Sequence, residues 1–258
     1  MLNDKIIIER IKRKIEPNMC ITPQTTPVVF FGDYEKAKAC VIALHPSENE
    51  FLDKNRNIII GEDRRLYSRK ELKKDDLCEL EDDDIEKVLN CCIDYFKDIS
   101  KPLSWFKDLE SLINQFGYSY YDNKNNSNFN KCVQLDLVQW ACPSWGSIKD
   151  KKIISHHLKN DLPVLKHLLK KKFEYIFLDS ERAVSEVENL LGITLNRRQT
   201  KCINNKGTNE NITIYIGEYN NAKVIGWSEL FPSQRIGWFH LHQAINNVIV
   251  NNVVPGVK

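Results

Sequence analysis

The stretch Lys38-Ala39-Cys40-Val41-Ile42-Ala43-Leu44-His45-Pro46-Ser47 decides the fold. From Ala39 to Leu44 no charged or amide side chain interrupts it, so it is too apolar for a half-exposed strand. It reads as a strand buried on both faces, which is how the central strands of a parallel sheet look. His45-Pro46-Ser47 ends it abruptly. Working outward, residues 4–15 place Ile6, Ile7, Ile11 and Ile15 near helical spacing, an opening helix stopped by Pro17. Pro23 and Pro27 then mark an extended entry to a short β-type run at 28–31. Residues 48–74 are polar, with Asn55, Asn57 and Gly61 as turn formers and a basic cluster of Arg64, Arg65, Arg69, Lys70, Lys73 and Lys74. A loop of that length in a compact domain is usually functional.

Downstream, residues 82–96 and 102–116 read as helices, the first opened by acids that suit the helix dipole and the second closed by Gly117. The asparagine-rich segment 122–130 is a solvated loop. Residues 132–141 return to a strand pattern that Pro143 stops. Residues 149–172 read as a helix in two parts, with a break and fresh start at Asp161-Leu162-Pro163. A strand at 174–178, a helix at 180–191 capped by Gly192, and strands at 212–216 and 222–227 joined as a hairpin through Asn220-Asn221 come next. A helix at 237–250 closes the chain. Four or five strands separated by helices argue an α/β sandwich with a mostly parallel central sheet, built as a single domain over residues 1–258.

Composition narrows the function classes. With 258 residues, 42% hydrophobic and 28% charged, the chain can bury a real core, which excludes collagen, wholesale disorder and a disulfide miniprotein. Lys and Arg number 37 against 35 acids, so any nucleic-acid-binding surface must be local. No run approaches the roughly 18 apolar residues of a membrane helix. The charged, Ile-rich N-terminus is not a signal peptide. Eight cysteines without a C-x-x-C pair read as reduced core residues of a cytoplasmic protein. His156-His157 and His240-x-His242 lack metal-ligand spacing, so no metal and no other cofactor is expected. Phosphate-cradling Gly-rich loops and a G-x-S-x-G elbow are absent.

In an open α/β sheet, ligands sit at the carboxyl ends of strands. Here those ends carry Leu44-His45-Pro46-Ser47-Glu48-Asn49-Glu50-Phe51, Gln134-Leu135-Asp136-Leu137-Val138-Gln139-Trp140, and Gly226-Trp227-Ser228-Glu229-Leu230-Phe231-Pro232-Ser233-Gln234-Arg235. Each has a plain structural alternative: His45 as a satisfied histidine, the Pro-Ser pairs as turns, Asp136 as a helix cap, Phe51 as core. Their joint arrangement, with one strand-Pro-Ser loop near each end of the chain, favours convergence at one mouth of the sheet.

At these residues the chain resembles the uracil-DNA glycosylase superfamily. Ala43-Leu44-His45-Pro46-Ser47 falls where that family has its first strand-Pro motif, residues 136–140 where it places a base-reading asparagine, and Phe231 to Arg235 where it has Pro-Ser before a wedge loop. The resemblance implies a three-layer α/β/α sandwich and hydrolysis of the N-glycosidic bond of a flipped base, by a monomer whose partner is DNA and not a membrane. It implies His45 and Asp136 as catalytic residues, and Phe51, Asp136 and Gln139 as base contacts. Ser47, Ser233, Gln234, Arg235, Arg64 and Arg65 would contact DNA. The departures point away from plain uracil. Asp136 replaces the asparagine, and an ionised carboxylate only accepts, which suits an exocyclic amine such as cytosine N4. A protonated Asp136 would instead donate to the leaving base. The branch that acts on glucosylated hydroxymethylcytosine in phage DNA is similar in outline. The non-enzymatic alternative is a DNA-binding protein on a glycosylase-like scaffold.

Overall fold

The computed structural model describes residues 4–98, 100, 102–121, 128–204, 206–228 and 237–253. Their helices are α1 (Lys5–Ile11), α2 (Arg69–Leu72), α3 (Asp82–Ile93), α4 (Trp105–Asn114), α5 (Lys151–Leu168), α6 (Glu181–Leu191) and α7 (Trp238–Val253). The strands are β1 (Ala37–Ala43), β2 (Tyr118–Ser119), β3 (Asn130–Asp136), β4 (Tyr175–Asp179), β5 (Asn196–Ile203), β6 (Asn209–Tyr219) and β7 (Ala222–Trp227).

Seven strands therefore replace the four or five expected, in one sheet ordered β2-β3-β1-β4-β7-β6-β5. The sheet is mixed. The pairs β1–β4, β4–β7 and β2–β3 run parallel, whereas β7–β6 and β6–β5 run antiparallel. The antiparallel half follows from local chemistry, since Asn220 and Asn221 take positive φ of 50° and 68° and close a two-residue hairpin between β6 and β7. β5 escapes the sequence pattern because almost every side chain on it is polar and exposed, with Arg197, Arg198 and Lys201 guarding an edge.

The chain divides into two compact units. One comprises Lys38–Ala43, Ser104–Cys132 and Lys172–Lys258. Within it Tyr175 and Phe177 of β4 show their rings on one face, where Phe116 meets both and also touches His242 of α7. Side chains alternate along a strand, so Leu178 lies on the opposite face. There a β-carbon added at Gly226 of β7 would meet both Leu178 and Val184 of α6. Helices thus cover both faces of this part of the sheet.

The other unit comprises Met1–Ala37, Leu44–Leu103 and Val133–Lys171. In it α1 packs on α5, and Asp4, which caps α1, also accepts from His167 at 2.6 Å. α5 corrects one expectation: it is a single helix with Pro163 inside it. The proline removes one backbone donor, but Ile154, His157, Leu158, Asp161, Val164, Leu165 and Leu168 keep one continuous buried face, and that packing outweighs the lost bond. None of the eight cysteines is in a disulfide. Five are buried, Cys91 is intermediate, and Cys20 and Cys78 are exposed. Among the described residues no helix is long and apolar enough to cross a membrane, and no cluster of potential metal ligands occurs.

Candidate functional site

The residues that leave β1 and β3 build one site within the second of these units. Leu44 O accepts from Val138 N at 3.0 Å, Pro46 O accepts from Cys142 N at 3.4 Å, and Ser47 forms a parallel bridge with Cys142. The strap after β1 is therefore laced to the segment after β3. Ser47 then opens a tight turn at Glu48–Glu50, its hydroxyl accepting from Asn49 N at 3.2 Å.

His45 is half-buried and stacks on Trp145, with ring centroids 5.5 Å apart. Its Nδ1 lies 2.9 Å from Pro46 O. A carbonyl can only accept, so Nδ1 carries a proton and donates this bond. Asp136, the last residue of β3, is 4% exposed and accepts from Gln134 Nε2 at 3.0 Å through Oδ1.

Directly after Asp136 the backbone is held by a buried ion pair. Arg10 of α1 reaches Asp161 of α5, Nε to Oδ1 at 2.7 Å and Nη2 to Oδ2 at 3.1 Å, and its guanidinium lies over the Trp140 ring. Burial lowers the Arg10 pKa, and the charge of Asp161 opposes that shift. Asp161 also takes Gln139 N at 2.8 Å. The Gln139 side chain is spent inside this network, accepting from Arg10 Nε at 3.1 Å and donating to Asp136 O at 3.3 Å. Gln139 thus anchors the turn behind Asp136, whereas the sequence suggests a base contact.

Glu50 is the residue that sequence reasoning passes over. Its side chain is 1% exposed, and its Oε2 accepts from the Tyr95 hydroxyl at 2.5 Å. Burial raises its pKa from the usual 4.5 to about 8, against the Tyr95 hydrogen bond and the charge of Arg65, and the charge of Asp136 raises it further. At neutral pH this carboxyl keeps its proton. Tyr95 in turn meets Phe31 edge-on at 4.7 Å, and Phe31 exchanges backbone hydrogen bonds with Gln134, two residues before Asp136.

The structure distributes the remaining expected residues differently. Phe51 is buried in the core at the end of the turn, where its carbonyl accepts from Ile59 N at 2.8 Å. Arg65 donates to Asn49 O at 2.9 Å and so braces the turn that carries Glu50. Arg64 lies over the Tyr67 ring, bonds its hydroxyl at 2.7 Å and pairs with Glu71. Arg64 and Arg65 line an open cleft of about 740 Å³ with Gly61, Glu62, Cys91, Asp94, Lys97 and Asp98, a balanced mixture of charges rather than a phosphate track. Ser233, Gln234 and Arg235 lie outside the described residues.

No family model and no curated protein matches this chain. Its function is therefore argued from this site.

Proposed function

We propose that this chain is a DNA glycosylase of the uracil-DNA glycosylase type. In this reading it hydrolyses the N-glycosidic bond of a flipped, damaged or modified base, of cytosine type, and leaves an abasic site. The observation that carries the reading is the buried Asp136 carboxyl at the end of β3, beside a strap from β1 that presents a half-buried histidine held through Nδ1. Helices on both faces of the sheet support the three-layer architecture that goes with it.

The base must leave the duplex stack at a cost of a few kcal/mol before any group here can reach it. Asp136, held by Gln134, then accepts from the exocyclic amine. As the bond to the sugar stretches, positive charge grows on the sugar and negative charge on the base, and fixed polar groups that match those charges lower the barrier. His45 Nε2 accepts a hydrogen bond from the water that adds to C1′, while the Nδ1–H bond to Pro46 and the Trp145 ring hold the imidazole in orientation. Ser47, with Ser233, Gln234 and Arg235, contacts the DNA.

The test is release of free base from defined oligonucleotides carrying uracil, hypoxanthine, cytosine, or hydroxymethylcytosine with and without glucose, with alkali used to reveal abasic sites. Release by the wild type that falls about 100-fold or more in His45→Ala and in Asp136→Ala supports the reading. DNA binding without release of any base would leave a binding protein on a glycosylase-like scaffold.

A further inference from the structure

Glu50 plays no part in the reading above, and the structure gives it the features of a working group. Its carboxyl is shut off from water, Oε2 is occupied by the Tyr95 hydroxyl, and Oε1 is buried with no hydrogen-bond partner among the described residues. A buried polar atom left without a partner is uncommon in folded proteins, and a catalytic role is one of the reasons such an atom is kept. The groups that act on it are Tyr95 just after α3, Arg65 ahead of α2, and Asp136 on β3. Because Oε2 already accepts from Tyr95, the proton that the carboxyl retains sits on Oε1. The orphaned atom is thus an O–H donor, close enough to Asp136 to feel its charge.

We propose that Glu50 is the proton donor of this site, giving its Oε1–H to ring nitrogen N3 of a cytosine-type base whose exocyclic amine is accepted by Asp136. The assignment rests on the glycosylase reading for its chemistry. A uracil departs as an anion delocalised over two carbonyls and needs no added proton, whereas a cytosine-type base is a poor anionic leaving group and departs readily once N3 is protonated. An acid held in the site therefore marks a base that needs one. When the C1′–N1 bond breaks, its electron pair passes into the base ring and the Glu50 proton moves to N3. Water adds its oxygen to C1′, and the proton it gives up returns to the Glu50 carboxylate. The products are a neutral free base and an abasic deoxyribose with a new hydroxyl, and Glu50 is restored.

The experiment separates this assignment from the glycosylase reading by measuring binding as well as release. Oligonucleotides carrying one non-hydrolysable 2′-fluoro cytidine or 2′-fluoro uridine are titrated with wild type, Glu50→Gln and Glu50→Leu at pH 6.5 and pH 9.5. Wild type should prefer the cytosine probe at both pH values through Asp136, and by about tenfold more at pH 6.5 than at pH 9.5, because the Glu50 donor is ionised at the higher pH. Glutamine still donates, so Glu50→Gln should keep the full preference at both pH values, and Glu50→Leu should show only the smaller, Asp136-based preference at both. Glutamine cannot surrender a proton, so single-turnover release by Glu50→Gln should fall by about 100-fold or more and lose its alkaline limb. A wild-type preference that is the same at both pH values, or release by Glu50→Gln that matches wild type in rate and pH profile, overturns the assignment. Discrimination that depends on Glu50, without release of any base by wild type, would leave Glu50 a reader of the base and sink both the proton transfer and the glycosylase reading.

Discussion

Replacing Glu50 by glutamine should change how stability depends on pH more than it changes stability itself. The native carboxyl binds its proton up to about pH 8, whereas in the unfolded chain it releases it near 4.5. Below pH 4.5 both states are protonated and the raised pKa costs nothing. Between 4.5 and about 8 the native state holds a proton that the unfolded chain has lost, so wild-type stability falls by about 1.4 kcal/mol per pH unit from this group alone. Across the window the loss is on the order of 5 kcal/mol, and above it the contribution is flat. Glutamine is the uncharged isostere of the acid and can still accept from Tyr95, so Glu50→Gln should match wild type near pH 5 and exceed it progressively toward pH 9. Urea unfolding of both proteins at intervals from pH 5 to 9 reads the difference as midpoints at constant slope. Stability curves that stay parallel over that range would refute the claim that Glu50 is carried neutral.

The same carboxyl can be moved in either direction. Tyr95→Phe removes a hydrogen bond that lowers the Glu50 pKa, so its titration, followed by NMR of a 13C-labelled carboxyl, should move to higher pH. Asp136→Asn removes a like charge, and the same signal should move to lower pH. Arg10→Met leaves Asp161 buried with its main counter-charge gone and should cost about 3–5 kcal/mol by denaturant unfolding. The pair Arg10→Met with Asp161→Leu should recover part of that loss. Gly226→Ala would set a β-carbon 2.5 Å from Val184 Cγ2, with Leu178 Cβ at 3.2 Å, and should cost about 1–3 kcal/mol, relieved by Val184→Ala.

What the sequence makes legible is whatever local patterning decides. The apolar run ahead of His45 is β1, Gly192 closes α6 in the left-handed region, and the two asparagines turn β6 into β7. β5 is hidden because an edge strand can be polar on nearly every position. Pro163 misleads because tertiary burial of one face keeps α5 continuous across it. The site shows the same division. His45 and Asp136 stand out as polar residues at the ends of apolar strands, which locates them from pattern alone. Glu50 does not, because Ser47-Glu48-Asn49-Glu50 has the spacing of a solvated capping box, and only long-range packing against Tyr95 turns that carboxyl inward. Arg10 is similarly a lone charge in an isoleucine-rich helix until Asp161, 151 residues away, supplies its partner. Phe51, at the end of the turn after β1, and Gln139, in the segment after β3, illustrate the converse, since the fold uses both for its interior.

The central claim is tested most directly by incubating wild type and Asp136→Asn with DNA containing hydroxymethylcytosine, glucosylated and not, and identifying any free base by mass spectrometry. The account predicts free cytosine-type base from wild type, an equal yield of alkali-labile sites, and a rate lower by about 100-fold in the variant. Intact DNA after wild-type incubation across every base tried, or equal release by the variant, would contradict it.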